Sequence, residues 1–250
     1  MNNTHDNTEN DLSIPVGFPM PEAGLPEAEA IREFQQKIAA QLMPYRELIA
    51  YYRCAMMEVK TKFDVLNEAL SLDKDHNPIE SIKTRLKTPE SIALKMHRKN
   101  LPFSIESLEE NIEDIAGVRV ICSYPSDIYM LADALLKQDD VRLLKKKDYF
   151  QNPKKNGYRS LHLIIEIPIF LHNRKKYMKV EIQLRTLSMD WWASLEHKIR
   201  YKKDLPEETL HNIEADLLRC AELARILDEK MERISLSIDP LRDPANHAQL

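Results

Sequence analysis

The chain has 250 residues, of which 43% are hydrophobic and 30% charged, a composition typical of one large or two small globular domains. Its four glycines form neither a GxxxxGK[ST] nor a GxGxxG sequence, which excludes the common glycine-rich phosphate loops. A formal net charge of -4 gives no overall attraction to long nucleic acids or to membrane surfaces. No apolar run of about 18 residues, the length of a membrane-spanning helix, is present. We therefore expect a cytoplasmic protein without a membrane segment.

Long helices are predicted near both ends of the chain. Residues 1–25 are polar and proline-rich and are expected to form a disordered or loosely docked tail. Apolar residues then recur at spacings of four and three over residues 27–72 and again over residues 206–236, which predicts two amphipathic helices. Both apolar stripes are interpreted as core, but their heptad character leaves self-association open. A second tail is expected at residues 240–250.

Strands and further helices are predicted between the long helices. Residues 117–124, 141–144, 160–167 and 179–184 have strand patterns, and residues 127–137 have the pattern of an amphipathic helix. This order predicts an α/β (α+β) fold with a mixed β-sheet, in a core of residues 76–203 within a single domain of residues 26–239. The three cysteines, Cys54, Cys122 and Cys220, are isolated and are expected to be reduced core residues.

One predicted strand, KVEIQLRT at residues 179–186, carries polar side chains on alternate positions. Its apolar residues face one side of the sheet, so Glu181 and Gln183 face the other. Asp114 precedes another strand, on which Arg119 lies opposite the core-facing valines. Two neighbouring carboxylates repel each other unless a cation lies between them, and Mg²⁺ with nucleotide phosphates is the commonest reason for such a pair. A lone Asp114, however, is more often a turn or cap residue.

The sequence TRLKTPESIALK, residues 84–95, predicts a helix start. Thr88 suits the N-cap and Pro89 the first turn. Cations beside an exposed helix N-terminus form an anion site without any glycine loop. The side chains available for it are Arg85, Lys87, Ser91 and Lys95. A capped and solvated helix start is the alternative.

The sequence NGYRSLH, residues 156–162, predicts a turn followed by an aromatic residue. Gly157 permits the turn, and Tyr158 is expected to be exposed, with Lys154 and Arg159 beside it. An exposed ring flanked by cations can stack on a nucleic-acid base while the cations bind phosphates. Tyr158 is equally compatible with an edge strand.

Together these stretches resemble a known family. HNPIESIKTRLKTPESIALK, IEDIAGVRV, KNGYRSLHL, and VEIQLRT running into MDWWASLEHKIRYK are similar to the synthetase domain of RelA/SpoT-type alarmone synthetases in their small, stand-alone form. The resemblance implies transfer of a pyrophosphoryl group from ATP to the 3′-hydroxyl of GTP or GDP, with Mg²⁺ as cofactor. It also implies a homotetramer built by the flanking helices and no hydrolase activity, since the only His-Asp pair lies at residues 5 and 6.

The resemblance also assigns roles to individual residues. It implies that Asp114 and Glu181 are the catalytic acids and the Mg²⁺ ligands, with Glu181 as base, metal ligand or both. The ATP-binding residues that it implies are Arg85, Lys87, Ser91, Lys95 and Arg119. Those around the GTP or GDP acceptor are Lys147, Lys154, Tyr158, His162 and Gln183. Asp190 stands where some relatives carry Asn; it is a candidate reader of the guanine edge, with a cap of the following helix as the alternative.

Two rival hypotheses belong to other classes of protein. The first is a non-catalytic protein that binds guanine nucleotides or single-stranded RNA through Tyr158 and the lysines. The second is a generic nucleotidyltransferase, which would release pyrophosphate rather than AMP. The presence of both Asp114 and Glu181 favours an enzyme over the first rival, because binding alone does not require a pair of metal-binding acids.

Overall fold

A computed structural model of the chain describes residues 27–73, 77–200 and 207–238. The two predicted tails lie outside the described residues. The chain divides into two compact units, one ending at Ile49 and the other beginning at Ala50. In the first unit, the described residues belong to the first half of one long helix. No helix within the described ranges is long and apolar enough to cross a membrane.

The second unit contains a mixed five-stranded β-sheet with the strand order β1-β2-β5-β4-β3. The strands are β1 (Ile79–Leu86), β2 (Ala116–Cys122), β3 (Arg142–Asp148), β4 (Leu161–Phe170) and β5 (Lys175–Thr186). Strands β2 and β5 are parallel and all other neighbours are antiparallel. The predicted mixed sheet is therefore confirmed, although β1 was not predicted and β3 extends four residues beyond its predicted end at residue 144.

The described ranges contain six helices. They are α1 (Glu27–Asp73), α2 (Pro89–Arg98), α3 (Ile105–Asn111), α4 (Pro125–Leu136), α5 (Leu187–Arg200) and α6 (Glu207–Ile238). Thr88 caps α2 as predicted, because its side chain accepts a hydrogen bond from the backbone N–H of Ser91. In the unit that begins at Ala50, α1 buries Tyr52, Val59 and Phe63, which confirms this part of the predicted core stripe.

The apolar stripe of α6 is core only in its first half. Leu217 and Ala224 are 8% and 6% exposed, whereas Leu227 is 53% and Ile234 54% exposed. The first half packs on α5 and on the loop before β4, while the later apolar residues face an open groove. The prediction that the whole stripe is core is therefore wrong. The separate prediction that the cysteines are core residues holds for Cys122, which is buried. It is wrong for Cys220, which lies exposed on α6.

Polar contacts hold the second half of α6 on the core. Thr186, at the end of β5, donates a hydrogen bond of 2.7 Å to Asp228. The backbone N–H of Ser126, in the first turn of α4, donates one of 2.8 Å to Glu232. A carboxylate is favourable beside a helix N-terminus, where backbone N–H groups lack partners. These contacts let the apolar stripe point away from the core.

Candidate active site

The sheet register aligns one row of polar side chains across all five strands. Arg119 on β2 lies between Lys83 on β1 and Gln183 on β5, and Gln183 lies beside His162 on β4. Lys147 on the edge strand β3 completes the row opposite His162. Directly opposed residues in a sheet point to the same face. The sheet therefore presents a continuous polar floor, as the alternation of KVEIQLRT predicted.

A first pocket, the β1–β2 pocket, opens at one end of this floor. Its cavity volume is about 470 Å³. Gly117 on β2, opposite both Arg85 and Glu181, adds no side chain to it. The charged and amide side chains in its wall are Lys83, Arg85, Lys87, Asp114, Arg119, Glu181 and Gln183. Five of the residues assigned by the family resemblance to ATP or the metal therefore come together here.

Asp114 is held by two lysines. Its carboxylate oxygens lie 2.7 Å from Nζ of Lys87 and 2.8 Å from Nζ of Lys95. Burial alone would raise the pKa of Asp114, but the hydrogen bonds and charges of both lysines outweigh it and hold the pKa below its usual range. Asp114 is thus a charged, pre-paired carboxylate and not simply a turn residue. Ser91 and Lys95 are not in the pocket wall, and Lys95 contacts it through Asp114.

Glu181 is a half-buried, ionised carboxylate on the central strand β5. It accepts a hydrogen bond of 3.0 Å from Nε2 of Gln183, and its Oε1 lies 3.3 Å from Nδ1 of His162. Burial opposes ionisation, and the nearby Asp114 also raises the pKa, but the contacts of His162 and Gln183 hold the pKa of Glu181 below its usual range. The carboxylate is therefore ready to accept a proton or to bind a cation at neutral pH.

His162 links Glu181 to Tyr158. Its Nε2 lies 3.1 Å from the Tyr158 hydroxyl, and the two rings meet edge to face. Burial lowers the pKa of His162, despite the opposing effect of Glu181, so the ring is neutral near pH 7. A neutral ring with its proton on Nδ1 donates to Glu181 and accepts from Tyr158, which satisfies all three groups. His162 thus orients the Glu181 carboxylate.

A second pocket, the β4–α5 pocket, adjoins the first. Its cavity volume is about 530 Å³, and it shares Arg85, Arg119 and Gln183 with the β1–β2 pocket. Lys154, Tyr158 and His162 also line it, along with residues 192–194 and 196–198 of α5. Three of the residues assigned to the acceptor thus share this pocket with Gln183. Lys147 is in the wall of neither pocket and stays exposed on β3.

Tyr158 is buried rather than exposed, which corrects the sequence prediction. Only 7% of it is accessible, because it packs against Trp192 of α5 and Leu217 of α6. The sequence around it shows the exposed cations but not the helix that covers the ring. The ring still lines the β4–α5 pocket, and Nζ of Lys154 lies 4.9 Å from its centre.

The loop that carries Tyr158 is fixed by a tight turn against α6. Gly157 has φ +85°, a conformation that side chains rarely adopt, and its N–H donates to the Lys154 carbonyl. A Cβ at position 157 would lie 2.6 Å from Cβ of Ala221. Glycine is therefore required both for the turn and for the close approach of α6.

Arg185 and Glu196 are among the residues of the β4–α5 pocket that were not predicted. Arg185 is 7% exposed, donates to Gln183 at 2.7 Å, and stands 5.0 Å from the centre of the Tyr158 ring. Its position on the polar side of β5 was visible in KVEIQLRT, two residues beyond Gln183. Glu196 lines the same pocket and accepts a hydrogen bond from Asn156 at 3.3 Å. The sequence showed only an ordinary helical acid at that position.

Asp190 is surrounded by basic side chains. One oxygen lies 2.9 Å from Lys83, and the other lies 3.3 Å from Arg119 and 3.4 Å from Arg185. The proposed cap of the α5 helix is wrong, because the Met189 N–H donates to Thr186, and Asp190 lies inside the first turn. The Asp190 carboxylate belongs to the wall of neither pocket. A contact with guanine remains a prediction, and the three cations favour another role.

Asp114 and Glu181 provide too few ligands to hold Mg²⁺ alone, but enough to hold it together with substrate phosphates. Within the described ranges, no group of three or more His, Cys, Asp and Glu side chains comes together as a metal site. Asp114 and Glu181 nevertheless share the β1–β2 pocket. Mg²⁺ is commonly held by one or two carboxylates, with phosphate oxygens and waters completing its coordination. The two acids therefore fit Mg²⁺ that arrives with a phosphorylated substrate.

Comparisons with known proteins agree with this geometry. Residues 84–205 match the sequence family described as a region found in RelA / SpoT proteins. GTP pyrophosphokinase YwaC of Bacillus subtilis is 47% identical over 197 residues, which is 78% of this chain and 92% of the relative. The crystal structure of small alarmone synthetase 1 from Bacillus subtilis bound to its product pppGpp gives a TM-score of 0.69 at 33% identity, covering 78% and 97% of the two chains. The same synthetase bound to AMPCPP gives 0.64 at 31% identity, covering 78% and 97%.

Proposed function

The chain belongs to the RelA/SpoT family and is a GTP pyrophosphokinase, and we propose that it transfers the pyrophosphoryl group of ATP to the 3′-hydroxyl of GTP or GDP where its two pockets join. One observation carries this proposal. The two pockets share Arg85, Arg119 and Gln183, and Glu181 lies between Gln183 and His162. An ionised base at the junction of two nucleotide-sized pockets is what a reaction between two nucleotides requires.

The β1–β2 pocket suits ATP. Lys83, Arg85, Lys87 and Arg119 supply four cations in its wall, and this charge matches the triphosphate. The Asp114 carboxylate orients Lys87, which lines the pocket, and also pairs with Lys95, which does not line it. Transfer of a phosphoryl-type group requires little covalent chemistry from the protein, so positioning and charge neutralisation supply most of the rate.

Glu181 is the group that accepts the proton of the 3′-hydroxyl. It is ionised, and the Nδ1–H of His162 fixes the direction of its carboxylate. Mg²⁺ bound with the phosphates, and held by Asp114 and Glu181, would neutralise charge that builds up during transfer. The chain itself binds the two nucleotides, orients them and removes the proton.

The β4–α5 pocket suits the guanine nucleotide. Lys154 and Arg185 lie over the Tyr158 ring and offer positive charge to a nucleotide. Stacking of guanine on this ring requires one of the two cations to move from its face. Stacking does not distinguish bases, whereas a carboxylate that accepts hydrogen bonds from N1–H and the N2 amine selects guanine. Glu196 is an acid in this wall and is a better placed candidate for that contact than Asp190.

Product analysis tests the proposal. The chain incubated with ATP, GTP and Mg²⁺ should release AMP and form pppGpp in equal amounts, separable by anion-exchange chromatography. Release of pyrophosphate would instead indicate nucleotidyl transfer. Binding of both nucleotides without turnover would support the non-catalytic binding protein.

The pH dependence of kcat/KM tests the state of the Glu181–His162 pair. Burial lowers the pKa of His162, and its neighbours lower that of Glu181, so neither group should titrate between pH 8 and pH 6.5. With all nucleotide held as its Mg²⁺ complex, kcat/KM is expected to stay level in this range. It should fall only at lower pH, as Glu181 becomes protonated. An acidic limb near the ordinary histidine pKa of about 6.5 would contradict this assignment.

We also propose that the exposed stripe of α6 mediates self-association of the chain. A groove of about 990 Å³ is lined by apolar side chains of α5 and α6, including Trp191, Leu223, Leu227 and Met231. Trp191 is 62% and Leu223 65% exposed. A continuous apolar surface of this kind is unusual on a monomer and is commonly covered by a partner. A second copy of this chain is the occupant that fits the heptad pattern of α6.

Two leucines of α6 make a matched pair of variants for this proposal. Leu227→Asp changes a side chain that is 53% exposed and should give a smaller species in light scattering that remains folded. Leu217→Asp changes a side chain that packs with Tyr158 and Trp192, so it should lower the free energy of unfolding by about 3 kcal/mol or more. A wild-type chain that is monomeric at micromolar concentration would contradict self-association.

A further inference from the structure

Three cations surround Asp190 at the boundary between the two pockets. Lys83 belongs to the wall of the β1–β2 pocket, Arg185 to the wall of the β4–α5 pocket, and Arg119 to both. All three lie within 3.4 Å of the same carboxylate, which is in neither wall. Asp190 thus lines neither pocket itself, but it contacts one cation from the wall of each pocket.

The two guanidinium groups retain unused hydrogen-bonding capacity. Within the described ranges, the Nε atoms of Arg119 and Arg185 are buried and lack a hydrogen-bond acceptor. Buried donors usually find a partner, since leaving one unpaired is costly. Both residues line the β4–α5 pocket, but these Nε atoms are inaccessible, so a bound ligand would pair with them only if the guanidinium groups moved.

The charges around Asp190 do not balance without a ligand. Lys83, Arg119 and Arg185 carry three positive charges against one carboxylate, and Asp190 is only 7% exposed. The hydrogen bond and charge of Lys83, with the charges of both arginines, outweigh the effect of burial and keep the pKa of Asp190 below its usual range. Asp190 therefore remains charged and is paired with three cations that line the two pockets.

We propose that Asp190 is a positioning residue whose carboxylate is a shared counter-charge for both nucleotide pockets. It holds Arg119 and Arg185 in the geometry that transfer needs and weakens the ground-state binding of each nucleotide. It does not contact guanine. This inference rests on the proposed function for the identity of the two ligands, but its test measures binding separately from turnover.

Asp190→Asn removes the charge and keeps the size of the side chain. Calorimetric titration of the full chain with AMPCPP and, separately, with GDP should show both dissociation constants lowered about threefold or more, because the cations lose a competing anion. The kcat of the variant should nevertheless fall by about tenfold or more, because Arg119 loses its anchor. Lower kcat together with tighter binding indicates that an interaction opposing substrate in the ground state has been removed.

Other outcomes overturn the proposal. A higher dissociation constant for GDP alone would show that Asp190 reads guanine, and unchanged constants for both ligands would show a purely structural role. Asp190→Glu, which restores the charge, should return both constants toward the wild-type values. Asp216→Asn is the matched control, since Asp216 forms an exposed ion pair with Arg219 on α6 and should leave both constants unchanged.

A second variant covers the case in which Asp190→Asn does not fold. Lys83→Met removes the one cation of the three that lines only the β1–β2 pocket, and Lys83 is exposed enough for the change to be tolerated. It should weaken binding of AMPCPP and leave that of GDP unchanged. Equal weakening of both ligands, or no change in either, would overturn the division of the cations between pockets. Absence of AMP from the wild-type reaction would instead reject the proposed function and leave these binding results standing.

Discussion

Glu181→Gln is expected to lower kcat by about 10²-fold or more, the scale of rate lost with a positioned general base. The amide keeps the size of the side chain and its place between Gln183 and His162, but it cannot accept the proton of the 3′-hydroxyl. Because Glu181 is only half-buried and lies on the polar face of β5, the melting temperature should stay within a few degrees of the wild-type value. Single-turnover production of AMP measures the effect directly.

Glu166→Gln on the neighbouring strand is the matched control for this variant. Glu166 is also a strand carboxylate, but it pairs with Arg142 and lines neither pocket. It should retain wild-type turnover. A folded Glu181→Gln protein with near-normal kcat would show that another group accepts the proton.

Asp114→Asn is expected to abolish Mg²⁺-dependent turnover. A neutral amide is a poor ligand for a hard divalent cation, and it also removes the charge that orients Lys87 and Lys95. Both lysines lose their anionic partner in a half-buried setting, so some loss of stability is expected as well. Turnover measured across a Mg²⁺ titration, alongside the melting temperature, separates the two effects.

Glu113→Gln is the control for Asp114→Asn. Glu113 is the preceding residue and forms an ion pair with Lys145, outside both pockets. Its substitution should change neither turnover nor Mg²⁺ dependence. If Asp114→Asn keeps its activity and does not respond to added Mg²⁺, Asp114 does not bind the metal and only orients the two lysines.

The polar face of β5 could be predicted because the alternation of apolar residues along the strand decides which side chains share a face. Val180, Ile182 and Leu184 are fully buried, so Glu181 and Gln183 had to share the opposite face. The cap of α2 was equally predictable, because Thr88 and Pro89 act through local backbone geometry alone. Features that depend on neighbouring residues along the chain were therefore accessible from the sequence.

Features that depend on distant packing were not accessible. Strand β1 pairs only with β2 and is largely exposed, so its residues lack a clear alternation. The burial of Tyr158 depends on α6, about 60 residues further along the chain. Asp190 meets Lys83 across 107 residues of sequence and Arg119 across 71, so these two of its three cations were invisible to any local pattern. The candidate site residues could be named, but their partners required the fold.

The close approach of Gly157 and Ala221 ties the evolution of the two segments together. A larger side chain at position 221 would strike the turn that carries Tyr158, just as any side chain at position 157 would strike α6. Divergence of α6, which lines neither of these two pockets, is thus limited by the loop that shapes the β4–α5 pocket. Related chains that enlarge position 221 should carry a rebuilt loop, and with it an altered affinity for the acceptor.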